Sequence, residues 1–175
     1  MKYKFKTKPY THQLEALKRS WNKQEYAYFM EMGTGKSKVL IDNIAILYDK
    51  GGIDAAIIVA PKGVYRNWSE KEIPAHMPDH VLRHVGVWNP APNRKQKKDL
   101  VKLFEPDHDL KILIINVEAF STARGTKAGA LFLQNNPNNI VIIDESTTIK
   151  NRKALRTKNI LQLRKFSKYR RILTG

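Results

Sequence analysis

Short aliphatic runs alternate with stretches of helical periodicity along this chain. Leu14, Leu17 and Trp21 recur at helical spacing, so residues 12–21 predict an amphipathic helix. Tyr26–Phe29 is strand-like, and residues 36–49 are helical. Ala55-Ala56-Ile57-Ile58-Val59-Ala60 predicts a buried strand stopped by Pro61, and residues 63–73 a helix ended by Pro74. Val81–Trp88 alternates as a strand, Asn89–Pro92 is a loop, and residues 93–104 form a basic helix. Ile112–Ile115 is a strand, residues 117–120 begin a short helix, Arg124–Ala128 reads as a loop and residues 129–134 as a helix. After the Asn135–Asn139 turn, Ile140–Ile143 is a strand, residues 151–166 are helical and Tyr169–Leu173 is a last strand. Continuous aliphatic runs separated by helices imply an α/β fold, a mostly parallel sheet with helices on both faces.

A length of 175 residues predicts one domain. There is no apolar run of membrane-spanning length and no apolar signal core behind the basic N-terminus. The chain has no Cys, which excludes disulfides and Cys-based zinc sites and fits a reducing cytoplasm. The net charge of +16 changes the picture more, because it predicts a polyanionic partner such as nucleic acid. From Ile149 to Arg171 there are ten Lys or Arg and no acid. A tract that pure predicts a phosphate-facing surface or a face that meets another domain.

The chemistry begins at Met30-Glu31-Met32-Gly33-Thr34-Gly35-Lys36-Ser37, between the Tyr26–Phe29 strand and the helix at 36–49. Strand, glycine turn, lysine, hydroxyl and helix is the layout of a phosphate-binding P-loop. The loop amides of Met32, Gly33, Thr34 and Gly35 can surround an anion, and the helix N-terminus adds partial positive charge. Lys36 can reach the β- and γ-phosphates and Ser37 can ligate Mg²⁺. Met30 stands where the eight-residue pattern has its first glycine, so this loop needs support from elsewhere. Ile140–Ile143 supplies it by running into Asp144-Glu145, the Walker B arrangement at a strand's C-terminal end. Asp144 is the candidate Mg²⁺ ligand, and Glu145 the group that orients or deprotonates the attacking water.

Taken in order, Met32–Ser37, Val59-Ala60-Pro61 with Asn67-Trp68, Ile143–Asn151 and Leu173-Thr174-Gly175 resemble motifs I, Ia, II and III of the superfamily 2 helicases. The nearest flavour is the Swi/Snf-like translocases of double-stranded DNA. The resemblance spans nearly the whole chain and implies a RecA-like P-loop lobe that uses ATP and Mg²⁺. It implies that Pro9-Tyr10-Thr11-His12-Gln13 is the Q motif, with Gln13 at the adenine edge and Tyr10 stacked on the ring. It implies nucleic-acid backbone contacts at Pro61, Lys62, Arg66 and Asn67, and at Asn116 in the motif Ib region, with DNA favoured over RNA. Trp68 reads as core rather than as a base-stacking platform. Thr147, Thr174 and Gly175 would couple the phosphate site to the nucleic-acid side.

Three departures accompany the resemblance. Asp144-Glu145-Ser146-Thr147 replaces the commoner Asp-Glu-Ala-His or Asp-Glu-Ala-Asp, so Thr147 stands where motif II links to motif III. Glu70 and Glu72 flank the usual place of the acid after Trp68. Motifs IV to VI, with the arginine fingers, belong to a second lobe of this family, whereas residues 1–175 read as lobe 1 alone. The resemblance therefore implies weak ATP binding, little hydrolysis and a monomeric state for this chain by itself. Two other readings remain at this point: a strand-separating DNA or RNA helicase, and a stand-alone nucleotide-regulated nucleic-acid-binding module. A P-loop kinase would not predict the Asp144–Asn151 stretch. Compact size and Asp-Glu-Ser-Thr look like phage-encoded relatives.

Overall fold

Each aliphatic run becomes a strand of one sheet. The computed structural model describes residues 3–174. Its strands are β1 (Glu25–Phe29), β2 (Ala55–Ala60), β3 (Arg83–Val87), β4 (Leu110–Asn116), β5 (Asn139–Ile143) and β6 (Tyr169–Thr174). They pair in the order β1-β6-β5-β2-β4-β3, and every pair is parallel. Alternate residues of the central strands enter different cores. Ala56, Ile58, Ile112, Ile114, Ile140 and Ile142 pack on one side. Ala55, Ile57, Leu113, Ile115, Val141 and Ile143 pack on the other. Because both faces are covered, these strands carry unbroken aliphatic runs rather than an alternating pattern.

The helices follow the sequence pattern with three differences. Helices α1 (Thr11–Ser20) and α2 (Lys36–Asp49) stand as expected. The helix expected to stop at Pro74 instead continues to His76. It comprises α3 (Tyr65–Asn67), a π-turn (Trp68–Glu72) and α4 (Ile73–His76). Proline lacks an N–H, and its ring crowds the carbonyl four residues back. The π-turn widens the helix just before it, with the Ile73 N–H reaching back five residues to the Trp68 carbonyl. Helix α5 (Arg94–Lys102) is capped by Asn93, whose side chain accepts from the Gln96 N–H.

The segment Arg124–Ala128, expected as a loop, lies inside α6 (Ala123–Asn135). Thr122 caps this helix by accepting from the Gly125 N–H at 3.1 Å. Gly125 then lies so close to the Ala119 backbone that no Cβ would fit. The last helix, α7 (Leu155–Gln162), is shorter than residues 151–166 and ends in a 3₁₀ turn at Leu163–Phe166.

The basic tract needs a further correction. Arg171 is only 1% exposed and faces no phosphate. Its guanidinium donates to Asn43 Oδ1 and to the carbonyls of Ser20, Gln24 and Arg170. Burial lowers its pKa from the usual arginine value. Arg170 is paired with Glu25, and Lys168 donates to Asn138. The end of the tract therefore ties β6 to α1, α2 and β1, whereas Lys150, Arg152, Lys153, Lys158, Arg164 and Lys165 remain exposed. Arg171→Ala would take the guanidinium's donors from the buried Asn43 Oδ1 and Ser20 carbonyl and from the part-buried Gln24 and Arg170 carbonyls. It is expected to cost about 3 kcal/mol, seen as a fall of about 6–12 °C in Tm by thermal denaturation.

Candidate nucleotide site

Parallel strands bring every C-terminal end to one edge of the sheet, and the predicted site residues follow those ends. Read along that edge, Met30–Ser37 follows β1, Thr174 ends β6, Asp144 follows β5, Pro61–Asn67 follows β2 and Asn116 ends β4. At about 4.8 Å per strand, the loop and Asn116 are roughly 19 Å apart. The acid pair stands between them. Gly175 lies outside the described residues.

The loop has the backbone that anion binding requires. Gly33 and Gly35 both have φ of +79°, a left-handed conformation that glycine adopts without penalty. Gly35 is the N-cap of α2, whose first-turn amides have no intrahelical acceptor. Lys36 Nζ folds back over this loop and donates to the Met30 and Glu31 carbonyls at 2.7 and 3.1 Å. The lysine therefore already lies inside the loop, held by two neutral acceptors that a phosphate oxygen would outcompete. Met32 is exposed, so only its backbone faces this arrangement.

Asp144 is half-buried, and its N–H donates to the Val59 carbonyl. Burial raises its pKa above the usual carboxylate range, and the neighbouring Glu145 adds to this. A hydrogen bond from Trp68 and the positive charge of Lys36 act in the opposite direction. Glu145 is the only non-glycine with positive φ among the described residues, at +55°. Such a conformation costs of order 1–3 kcal/mol and is typical of functional sites. Local bonds hold it: Thr147 Oγ1 donates to Glu145 Oε1 at 2.5 Å, and the Thr148 hydroxyl and N–H donate to the Glu145 carbonyl. Thr147 thus reaches back to motif II's own glutamate. Thr174 meets the loop through its carbonyl, which accepts from the Met30 N–H at 3.2 Å. Hard oxygen donors, the Ser37 hydroxyl and the Asp144 carboxylate, suit Mg²⁺.

Beside the loop, a cleft of about 690 Å³ is lined by Tyr10, His12, Gln13, Thr34, Lys38 and His76, among others. Gln13 is buried and engaged locally. Its Oε1 accepts from the Tyr10 N–H at 2.9 Å and its Nε2 donates to the Thr34 carbonyl at 3.0 Å. The amide thus ties the start of α1 to the loop. Tyr10 is 71% exposed and stacks on His12 with ring centroids 5.9 Å apart.

Lys62, Arg66 and Asn67 are exposed, and Pro61 is half-buried, around the turn into α3. Asn116 differs. It is 8% exposed, and its Oδ1 accepts from the Ala119 N–H to cap the following 3₁₀ turn. The structure gives that side chain a capping task. Trp68 is core, as expected from sequence, with 2% exposure. Sequence reasoning missed its polar end, for Nε1 donates to Asp144 Oδ2 at 2.9 Å. The π-turn also accounts for the displaced acid. It adds a residue to the turn, so Glu72 shares a face with Trp68 and lies near Asp144. Burial first, and then Asp144, raises the Glu72 pKa.

A family model described as the SNF2-related domain matches residues 12–175. The chain belongs to this family. It is similar to the ATP-dependent helicase FUN30 of Saccharomyces cerevisiae, 25% identical over 154 residues, covering 88% of this chain and 13% of that protein. It is 34% identical over 148 residues to the ISWI chromatin-remodeling complex ATPase CHR11 of Arabidopsis thaliana, covering 83% of this chain and 12% of that one. The chain therefore spans about an eighth of the length of these relatives. The fold is shared with the Sulfolobus solfataricus SWI2/SNF2 ATPase core in complex with dsDNA, at TM-score 0.69 and 19% identity, covering 99% of this chain and 33% of that chain. It is also shared with the UvsW helicase from bacteriophage T4, at TM-score 0.67 and 10% identity, covering 97% and 53%. The expected RecA-like fold and Swi/Snf-like kinship are thus both present.

Proposed function

We propose that this chain is the ATP-binding lobe of an intracellular, ATP-driven translocase on double-stranded DNA. The observation that carries this reading is the convergence of the Gly33–Ser37 loop and the Asp144-Glu145 pair on one sheet edge of an SNF2-related domain. The loop amides and Lys36 hold the phosphates, Ser37 and Asp144 hold Mg²⁺, and Glu145 accepts a proton from the attacking water. Mg²⁺ when bound supplies charge neutralisation at the β- and γ-phosphates. The base lies in the cleft beside Tyr10 and Gln13. Lys62, Arg66 and Asn67 contact backbone phosphates, which suits movement because such contacts carry no sequence information. Thr147, Thr174 and Gly175 link the two sides.

A second RecA-like lobe completes the ATP site in this reading and supplies arginine fingers, which contribute about 10³–10⁵ in rate in related phosphoryl transfer. The 175-residue chain is therefore a monomer that binds Mg·ATP weakly and hardly turns it over. The test is ATP hydrolysis by the two-lobe protein with duplex DNA, single-stranded DNA and RNA, alongside this chain alone. Duplex DNA is expected to stimulate most, with little turnover by the chain. Stronger stimulation by RNA or single strands would overturn the duplex assignment, and robust turnover by the chain would overturn the need for a second lobe.

A further inference from the structure

The hydrogen bond between Trp68 and Asp144 joins two segments 76 residues apart. The indole is 2% exposed and stands at the first position of a π-turn, a form that commonly marks functional sites in helices. Only one indole atom can donate a hydrogen bond, and here it meets an oxygen of the carboxylate read as the Mg²⁺ ligand. A carboxylate on a free χ2 torsion rotates readily. With Oδ2 fixed by a buried donor, that rotation is blocked and Oδ1 remains for the metal's water shell. From the same stretch of chain, the exposed side chains of Lys62, Arg66 and Asn67 face solvent. We infer that Trp68 is a positioning residue: its indole N–H orients the Asp144 carboxylate for Mg²⁺ and joins that carboxylate to the helix that begins at the exposed basic turn.

This rests on the nucleotide-site reading above. Partners that orient a metal ligand typically contribute 10–100-fold to metal affinity. By linkage, a loss of metal affinity at the site appears as a smaller gain in nucleotide affinity on adding Mg²⁺. The experiment titrates the chain with a fluorescent ATP analogue, in saturating Mg²⁺ and in EDTA. It compares the unsubstituted chain, Trp68→Phe, and a chain with 3-benzothienylalanine at position 68. The last keeps the bicyclic shape and puts a non-donating sulfur in place of the N–H, so it tests loss of the hydrogen bond if Trp68→Phe disturbs packing.

The expected result is an unchanged affinity in EDTA and a gain from Mg²⁺ that falls about tenfold in both variants. A full Mg²⁺ gain in the benzothienyl chain overturns the inference and leaves the nucleotide site standing. An equal loss with and without Mg²⁺ also overturns it, since that is the signature of packing alone. If the unsubstituted chain itself shows no Mg²⁺-dependent binding, the nucleotide-site reading falls and the inference falls with it.

Discussion

Replacing Lys36 with alanine is expected to abolish binding of an ATP analogue, weakening it at least about 100-fold. The figure follows from losing charge-assisted hydrogen bonds worth about 1.5–3 kcal/mol each to two phosphates. The fold should survive, because the ammonium meets only the Met30 and Glu31 carbonyls, both in the loop itself. Fluorescence titration checks the affinity and circular dichroism the fold. An affinity within about threefold of the unsubstituted chain, with the fold intact, would place the phosphates elsewhere.

Glu145→Gln is expected to separate binding from turnover in the two-lobe protein. The amide keeps an oxygen that can accept from Thr147, so the left-handed backbone at this position has the same local support. It removes the base. General-base catalysis typically contributes about 10²–10⁴ in rate, and kcat should fall by that order while ATP-analogue affinity stays within about twofold. A preserved kcat would move the water-activating role to another group. The half-buried Glu72, close to Asp144, would be the next to substitute.

Much of this arrangement was legible in the sequence, because the signals were local. A strand buried on both faces must be aliphatic throughout, so β2, β4 and β5 announced themselves. The loop and the acid pair were each readable from a few consecutive residues, and parallel topology then brought them to one edge. What escaped were features set by distant partners. Pro74 reads as a stop unless the helix ahead of it is known to widen. Gly125 reads as a loop residue unless its packing on Ala119 is known. Arg171 belonged by composition to a basic surface, and only the convergence of Ser20, Gln24 and Asn43 made it part of the interior. The Trp68 indole was assigned to the core correctly, but no spacing rule links it to Asp144.

The position of β6 has a consequence for the order in which the molecule can assemble. β1 has one neighbour in the sheet, and that neighbour is β6, paired from Glu25↔Arg170 to Phe29↔Thr174. During synthesis the strand that leads into the phosphate loop is made early, yet it has no partner until β6 emerges. The closure spans most of the chain, which makes it a slow and late event. β2, β4 and β5 can pair before it. A nascent chain halted before Tyr169 would hold a central sheet with β1 unpaired, so nucleotide could not help this domain fold until β6 had been made.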